Sequence, residues 1–210
     1  MFDPHIMTGI QQNIPEPRHG TTTVGIKLKE HVILAADKRA TAGHFIASRS
    51  VKKIVKIDEH VAMTISGVVA DAQTLADYVR FQIRLLSREA KIAPTVKMYA
   101  TFLSRILFES KIMPFIVQLI VGGYDGKPRL YTLDLLGSVI EEEYTATGSG
   151  SPVALGVLED GYSEDLSLDE AVELAKRAVK TATLRDSASG DGVDVVIIGR
   201  GLYEEKTLRF

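Results

Sequence analysis

Four residues with short side chains or none, Gly20-Thr21-Thr22-Thr23, join a leader that contains three prolines to the first regular pattern of the sequence. Glycine has no Cβ, which suits the strained turn that self-cleavage needs. If the bond after Gly20 were cut, Thr21 would carry a free α-amine beside its hydroxyl. An α-amine has a reference pKa of about 7.7–8.0, so it could take the hydroxyl proton at neutral pH. The simpler interpretation is a β-favouring threonine run.

Two charged residues stand at the ends of predicted strands. Asp37 ends an apolar run and Lys53 begins another. If their strands are antiparallel neighbours, both residues could lie close to Thr21. The Lys53 ammonium would then favour the alkoxide of Thr21 and lower the pKa of its α-amine, and the Asp37 carboxylate would keep that ammonium charged. The simpler interpretation is an ordinary strand-end ion pair, which stabilises a surface little.

Gly67 lies where a strand pattern gives way to a helix pattern, and an exposed N–H at such a turn can stabilise an oxyanion. The segments 147–151 and 185–192 are loops rich in small and hydroxyl residues. A phosphate cradle is one interpretation, but neither loop matches a nucleotide-binding fingerprint, so turn and cap chemistry is simpler. The five histidines lack paired ligand spacing, so we expect no metal site. We also expect no cofactor.

Composition excludes several functions. The chain has 210 residues, with 25 Lys and Arg against 27 Asp and Glu. It therefore lacks the excess of positive charge that binding to a nucleic acid or to a membrane surface usually requires. The absence of cysteine excludes disulfides, zinc-thiolate sites and thiol nucleophiles. No apolar run approaches the roughly 20 residues that span a bilayer, and the first residues lack a signal-peptide pattern. We expect a soluble cytoplasmic protein.

Hydrophobic periodicity predicts the elements that must position these residues. The prediction is strands at 24–28, 32–36, 53–58 and 61–67, helices from Val68 (about five turns) and Pro94, strands at 116–123 and 128–134, a weaker run at 138–146, helices at 151–160 and after Ser167, and a last strand at 193–199 before a polar tail. Ser167 with Glu170 predicts a capping box.

This order of elements does not fit a doubly wound parallel fold. Two largely antiparallel sheets packed on each other, with a helical pair on each outer face, would bury all the apolar strands. We therefore expect an α+β fold, a four-layer αββα sandwich. Residues 1–20 are expected to be a leader, and 21–210 a single domain.

Several segments together resemble one family. GTTTVGI, AADKRAT, TISGVVADAQ, ATGSGS and RDSASGDGVDV occur in this order, and they resemble the proteasome β subunit of archaeal type over essentially the whole chain from Thr21 onward. The resemblance implies an N-terminal nucleophile hydrolase with an αββα sandwich. It implies a threonine endopeptidase of the 20S core particle that hydrolyses unfolded proteins in a closed chamber. It also implies that residues 1–20 are a propeptide removed by self-cleavage after Gly20.

The resemblance assigns roles to individual residues. Thr21 matches the nucleophile, Asp37 and Lys53 match the catalytic carboxylate and lysine, and Gly67 matches the oxyanion N–H. Lys52 is the adjacent alternative, but the spacing from Thr21 favours Lys53. The group around the terminal amine maps onto Ser149, Asp186 and Ser189, and the substrate-binding residues map onto Ala40, Thr41, Val51, Val55, Ile65, Val69 and Gln73. Most of the latter are apolar, which predicts cleavage after hydrophobic residues.

The resemblance also implies partners. It predicts heptameric β rings stacked between rings of proteasome α subunits, an ATP-dependent unfoldase as regulator and unfolded proteins as substrates. Two alternatives are a bacterial ring peptidase relative and an inactive structural β subunit. The RDSASGDG segment and paired C-terminal helices disfavour the first, and the presence of Thr21, Asp37 and Lys53 disfavours the second. Met7 is an alternative start of the chain.

Overall fold

The computed structural model describes residues 20–209. Residues 1–19, which include nearly all of the predicted leader, and Phe210 lie outside the described residues, so the predicted boundary between leader and domain stays a prediction.

Residues 20–209 contain twelve strands and four helices, joined by turns and loops. The strands are β1 Thr23–Lys27, β2 His31–Asp37, β3 Ala40–Ala42, β4 Phe45–Ser48, β5 Ile54–Asp58, β6 Val61–Gly67, β7 Val117–Tyr124, β8 Pro128–Leu133, β9 Val139–Glu141, β10 Tyr144–Thr147, β11 Val193–Gly199 and β12 Leu202–Leu208. The helices are α1 Val69–Ala90, α2 Val96–Glu109, α3 Ser151–Gly161 and α4 Leu168–Thr183. None of these helices is long and apolar enough to cross a membrane.

The strands form two five-stranded antiparallel sheets and one separate hairpin. The first sheet has the order β10-β1-β2-β11-β12, and the second has the order β5-β6-β7-β8-β9. The strand β1, which follows Thr21, is an inner strand of the first sheet. The hairpin β3-β4 connects the end of β2 to the segment before β5.

Three apolar clusters define four layers. One cluster lies between the second sheet and the pair α1 and α2. Another lies between the first sheet and the pair α3 and α4, and the last lies between the two sheets. The predicted αββα sandwich is therefore confirmed.

The strand β2 shows why a continuous apolar run is needed in an inner layer. Val32, Leu34 and Ala36 belong to the cluster between the sheets. Ile33 and Ala35 belong to the cluster under α3 and α4. Because successive side chains point to opposite faces, both faces of β2 are covered by apolar neighbours.

The prediction that four strands precede the first helix is wrong, because β3 and β4 raise the number to six. These strands are only three and four residues long and turn at Gly43, which has φ of 60°. The side chain of Phe45 is exposed. A short hairpin with no buried apolar face leaves no periodic apolar pattern to detect.

Two other predictions near strand ends need correction. The polar tail is the strand β12, which pairs with β11 along its whole length as an edge strand. Backbone pairing does not require apolar side chains, and charged residues are common on edges. The weak run at 138–146 is two strands, β9 and β10, which belong to different sheets.

Side-chain caps mark the first residues of α2 and α4. Thr95, rather than Pro94, caps α2, because its side chain accepts a hydrogen bond from the Met98 N–H. The predicted capping box of Ser167 and Glu170 at the start of α4 is confirmed.

Candidate active site

Thr21 lies two residues before the start of β1 and is only 3% exposed. Its hydroxyl donates a hydrogen bond of 2.8 Å to the carbonyl oxygen of Gly20. The Gly20–Thr21 bond is intact, so the Thr21 nitrogen is an amide, and it donates to Ser149 Oγ at 3.1 Å. The hydroxyl is therefore held beside the carbonyl group of the predicted cleavage site.

A buried ion pair lies beside the first residues of β1. The Asp37 N–H donates to the Thr22 carbonyl across the sheet. Asp37 Oδ1 accepts hydrogen bonds from the Thr22 N–H at 2.9 Å and from Lys53 Nζ at 2.8 Å. Lys53 is 2% exposed. Burial lowers the pKa of Lys53, and the attraction of Asp37 offsets this only in part, so the net shift is downward.

Lys52 points in another direction. Its Nζ lies 2.6 Å from Glu205 Oε2, and its side chain is 60% exposed. Adjacent residues of an extended segment project to opposite sides. Of the two adjacent lysines, it is Lys53 that contacts Asp37.

The other oxygen of the Asp37 carboxylate holds a loop in place. Asp37 Oδ2 accepts from the backbone N–H groups of Arg39 at 3.0 Å and Gly190 at 2.9 Å. Arg39 Nε also donates to Asp191 Oδ2 at 2.8 Å, and this hydrogen bond lowers the pKa of Asp191. The loop 185–192 is thereby fixed against the residues that follow β2.

The three polar residues predicted to surround the terminal amine do lie together. Asp186 Oδ2 accepts hydrogen bonds of 2.6 Å from both Ser149 Oγ and Ser189 Oγ. Ser189 Oγ also lies 2.8 Å from Thr22 Oγ1. Because Ser149 accepts from the Thr21 N–H, it links the nitrogen of Thr21 to the Asp186 carboxylate.

A line of buried hydroxyls continues from this group between the sheets. Thr23 Oγ1 lies 2.9 Å from Thr64 Oγ1 and 2.7 Å from Thr147 Oγ1. Thr147 Oγ1 in turn lies 2.8 Å from Ser66 Oγ. Each hydroxyl can both donate and accept, so the buried oxygens satisfy one another. These contacts hold β1 against β6 and β10.

Gly67 ends β6 with a left-handed backbone, φ of 116°, which favours glycine. A Cβ at this position would lie 2.0 Å from the carbonyl oxygen of Ile116. The Ile65 N–H donates to the Lys53 carbonyl at 2.8 Å. Because N–H groups alternate between the two edges of a strand, the Gly67 N–H is directed to the same edge as that of Ile65.

The predicted substrate-binding residues differ in accessibility. Ala40, Val51, Val55 and Val69 are half-buried, Gln73 is exposed and Thr41 is buried. Val69 and Gln73 lie one turn apart at the start of α1. Ile65 is 1% exposed and packs in the cluster beneath α1, so it presents no free surface in this conformation. These substrate-binding assignments stay predictions.

Other features of the described chain lie apart from this group. A surface pocket of about 510 Å³ along α4, near the end of α3, is lined by none of the predicted site residues. Within residues 20–209, no three His, Cys, Asp or Glu side chains are placed to hold a metal ion.

Sequence reasoning missed Thr22, Arg39 and Asp191. Arg39 follows Asp37 by two positions, and Asp191 lies in the loop that was singled out for its small residues. Each of these two residues stands in a segment singled out from the sequence, but the ion pair between Arg39 and Asp191 depends on a contact between segments about 150 positions apart.

The fold and this group of residues together define a class of protein. A four-layer αββα sandwich with a buried threonine just before an inner strand is consistent with the N-terminal nucleophile hydrolases, and in this chain an aspartate–lysine pair lies beside it. The model of the proteasome subunit family matches residues 17–198. The chain therefore belongs to the proteasome subunit family.

Relatives place the chain among archaeal β subunits. It is 62% identical over 193 residues to proteasome subunit beta 2 of Aeropyrum pernix, covering 92% of this chain and 88% of the relative. It is 54% identical over 186 residues to proteasome subunit beta 2 of Hyperthermus butylicus, covering 89% and 88%. It is 53% identical over 188 residues to proteasome subunit beta of Archaeoglobus profundus, covering 89% and 87%. The resemblance found in the sequence is confirmed.

Proposed function

We propose that the chain is a proteolytic subunit of a 20S core particle and that Thr21 is the nucleophile of a threonine endopeptidase. The observation that carries this proposal is the buried Thr21 hydroxyl, which lies 2.8 Å from the Gly20 carbonyl oxygen. The Lys53–Asp37 pair next to Thr22 supplies the charge that this chemistry needs. Membership of the proteasome subunit family supports the same assignment.

Maturation is a self-cleavage in two steps. The Thr21 Oγ1 attacks the carbonyl carbon of Gly20, a C–O bond forms, the Gly20–Thr21 C–N bond breaks, and the hydroxyl proton ends on the Thr21 nitrogen. The product is an ester with a free α-amine. Water then hydrolyses the ester, which releases residues 1–20 with a new carboxylate and restores the hydroxyl of Thr21.

Peptide hydrolysis by the mature chain uses the new amine as the base. The amine takes the proton from Oγ1 as the oxygen attacks a peptide carbonyl, and the proton passes to the departing amine. Lys53 stabilises the developing negative charge, and the Gly67 N–H binds the oxyanion. Ser149 and Asp186 orient the amine. Water then hydrolyses the acyl ester.

The substrate and partners follow the same assignment. The apolar side chains of Val51 and Val69 favour a hydrophobic residue before the cleaved bond. An extended substrate pairs its backbone with Thr41 and Gly67, as an added strand would. The subunit works in heptameric β rings between α-subunit rings, where an ATP-dependent unfoldase supplies unfolded proteins.

The test compares the intact mass and N-terminal sequence of the chain after assembly with α subunits. The unaltered chain is expected to begin at Thr21, whereas Thr21→Ala should keep its leader and hydrolyse no peptide. Thr74→Ala, an exposed position on α1, is the matched control and should behave as the unaltered chain. A leader that persists in the fully assembled particle, or one that Thr21→Ala removes at the normal rate, would contradict the proposal.

A further inference from the structure

Gly20 occupies a space that leaves no room for a side chain. A Cβ at position 20 would lie 1.7 Å from the Ala188 Cβ, 2.9 Å from the Ala188 Cα and 3.1 Å from Ser149 Oγ. Non-bonded carbon atoms prefer separations of about 3.5–4.0 Å. The methyl group of Ala188 therefore fills the position that the first atom of any side chain would need.

Ala188 cannot easily move away, because its loop is held on both sides. The Gly190 N–H donates to Asp37 Oδ2 at 2.9 Å. Arg39 Nη1 donates to the Ser187 carbonyl at 2.8 Å. A shift of Ala188 large enough to admit a side chain would disturb a hydrogen bond to the carboxylate that holds Lys53. The two residues that follow Ala188, Ser189 and Gly190, are buried, and packed interiors resist displacement.

We propose that Ala188 determines which residue can precede the nucleophile in self-cleavage. Its methyl group excludes every side chain at position 20 and so keeps the Gly20 carbonyl within hydrogen-bond distance of the Thr21 hydroxyl. Ala188 is a positioning residue for leader removal. This inference rests on the proposed function, since it requires cleavage by Thr21.

The test compares Gly20→Ala with the double variant Gly20→Ala/Ala188→Gly, and the fraction of chains that begin at Thr21 is followed by intact mass during assembly with α subunits. Gly20→Ala is expected to slow leader removal roughly 10- to 100-fold, as overpacking of a confined site would. Ala188→Gly added to Gly20→Ala removes the 1.7 Å contact. The double variant should therefore be at least several-fold faster than Gly20→Ala. Recovery should be partial, because the 2.9 Å contact to the Cα remains.

The matched control combines Gly20→Ala with Ala70→Gly, an exposed alanine on α1, and should stay as slow as Gly20→Ala. If Gly20 serves only through its backbone freedom, Ala188→Gly will give no recovery, and that result overturns the inference. Thermal denaturation of each Thr21→Ala counterpart, which cannot cleave itself, reports whether the variants fold equally well.

The two proposals fail in different ways. If the unaltered chain keeps its leader, or Thr21→Ala loses it, the proposed function is wrong. If both behave as expected and the double variant is no faster than Gly20→Ala, only the role of Ala188 is wrong.

Discussion

Lys52 and Lys53 carry the same charge in adjacent positions, but their surroundings differ. Lys53 is buried against Asp37, whereas Lys52 reaches Glu205 at the surface. An exposed ion pair contributes about 0–1 kcal/mol, whereas removal of one partner of a buried pair leaves an uncompensated charge and costs about 3–5 kcal/mol. Substitution of Lys52 is therefore a matched control for substitution of Lys53.

We expect Lys53→Ala to lower both leader removal and peptide hydrolysis by about 10²-fold or more, because the developing negative charge loses its ammonium. Lys52→Ala should change either rate less than about twofold. Rates are measured on assembled particles with a fluorogenic peptide and by intact mass. Equal losses in both variants would show that the chemistry does not depend on the buried ion pair.

At the level of residues, the leader junction and the ends of predicted strands singled out Thr21, Asp37 and Lys53, and the family resemblance added Asp186. Thr22, Arg39, Ala188 and Asp191 were not identified. Their roles arise only when the loop 185–192 folds against the start of β1 and the end of β2, and no local pattern encodes such a contact.

One carboxylate connects three elements on the outer side of the second sheet. Asp58, at the end of β5, accepts a hydrogen bond from Tyr99 Oη of α2 at 2.5 Å and one from Arg84 Nη2 of α1 at 2.9 Å. Burial by itself would raise the pKa of Asp58, but these hydrogen bonds outweigh it and lower the pKa to about 2.

We expect Tyr99→Phe to lower the free energy of unfolding by roughly 1.5–3 kcal/mol at pH 7, the usual contribution of a hydrogen bond to a charged group. The folded pKa of Asp58 lies below its unfolded value near 3.9. Its stabilisation is therefore complete above about pH 4 and is lost as the pH falls towards 2. The variant should unfold at a higher pH on acidification.

Denaturant unfolding at pH 7 and an acid titration of Thr21→Ala chains measure both effects. Tyr78→Phe, an exposed tyrosine on α1, is the control and should be nearly neutral. An acid midpoint that Tyr99→Phe leaves unchanged would exclude Asp58 as the source of the acid stability.

The junction of β6 and α1 depends on a backbone conformation that suits glycine. We expect Gly67→Ala to destabilise the fold by about 3 kcal/mol or more, because the left-handed backbone is strained for alanine and its Cβ meets the Ile116 carbonyl at 2.0 Å. Gly43→Ala is the control. Gly43 also has positive φ, but nothing lies within 4 Å of its Cβ position, so its cost should be about 1–2 kcal/mol.

Thermal denaturation and peptide hydrolysis are measured for both glycine variants. Gly67→Ala should lose activity even at temperatures at which it stays folded. If the two variants behave alike, the close approach to Ile116 is not what requires glycine at position 67.

At the level of elements, the sequence predicted strands that bury at least one face, such as β1, β2 and β6. It did not predict β3, β4 and β12. The first two are short, and β12 is a charged edge strand stabilised by backbone pairing with β11. Apolar periodicity reports burial, so strands without a buried apolar face give little signal.

At the level of the whole molecule, the segment that joins α2 to β7 carries large apolar side chains on the surface. Ile112 is 89% exposed and Met113 is 86% exposed, and Phe108 and Ile116 nearby are also exposed. Contiguous exposed apolar groups typically mark an interaction surface. We expect this segment to be covered by another subunit in the particle.

We expect the double variant Ile112→Asp/Met113→Asp to reduce assembly with α subunits at least about tenfold, because burial of two charges at an interface is unfavourable. The thermal midpoint of the isolated chain should stay within about 2 °C, since neither side chain packs in the core. Light scattering after size exclusion gives the mass of the particle. Normal yields of full-size particles would exclude this segment from the interfaces.

The four-layer architecture could be predicted because the order strands, helices, strands, helices, strand leaves few ways to cover every apolar face. The assembly surface could not be located in the same way. An exposed apolar residue and a buried one are indistinguishable in composition, and only the fold separates Ile112 from Ile120, which lies in the cluster between the sheets.

In the proposed self-cleavage of the Gly20–Thr21 bond, the first reaction of each chain is a reaction with itself, and it can happen only once. The proposed cleavage is irreversible, so a chain that begins at Thr21 is one whose own nucleophile has reacted. In a ring that mixes normal and altered subunits, the ratio of short to long chains in a mass spectrum would count the sites that had once been competent. No inhibitor or substrate would be needed for that titration.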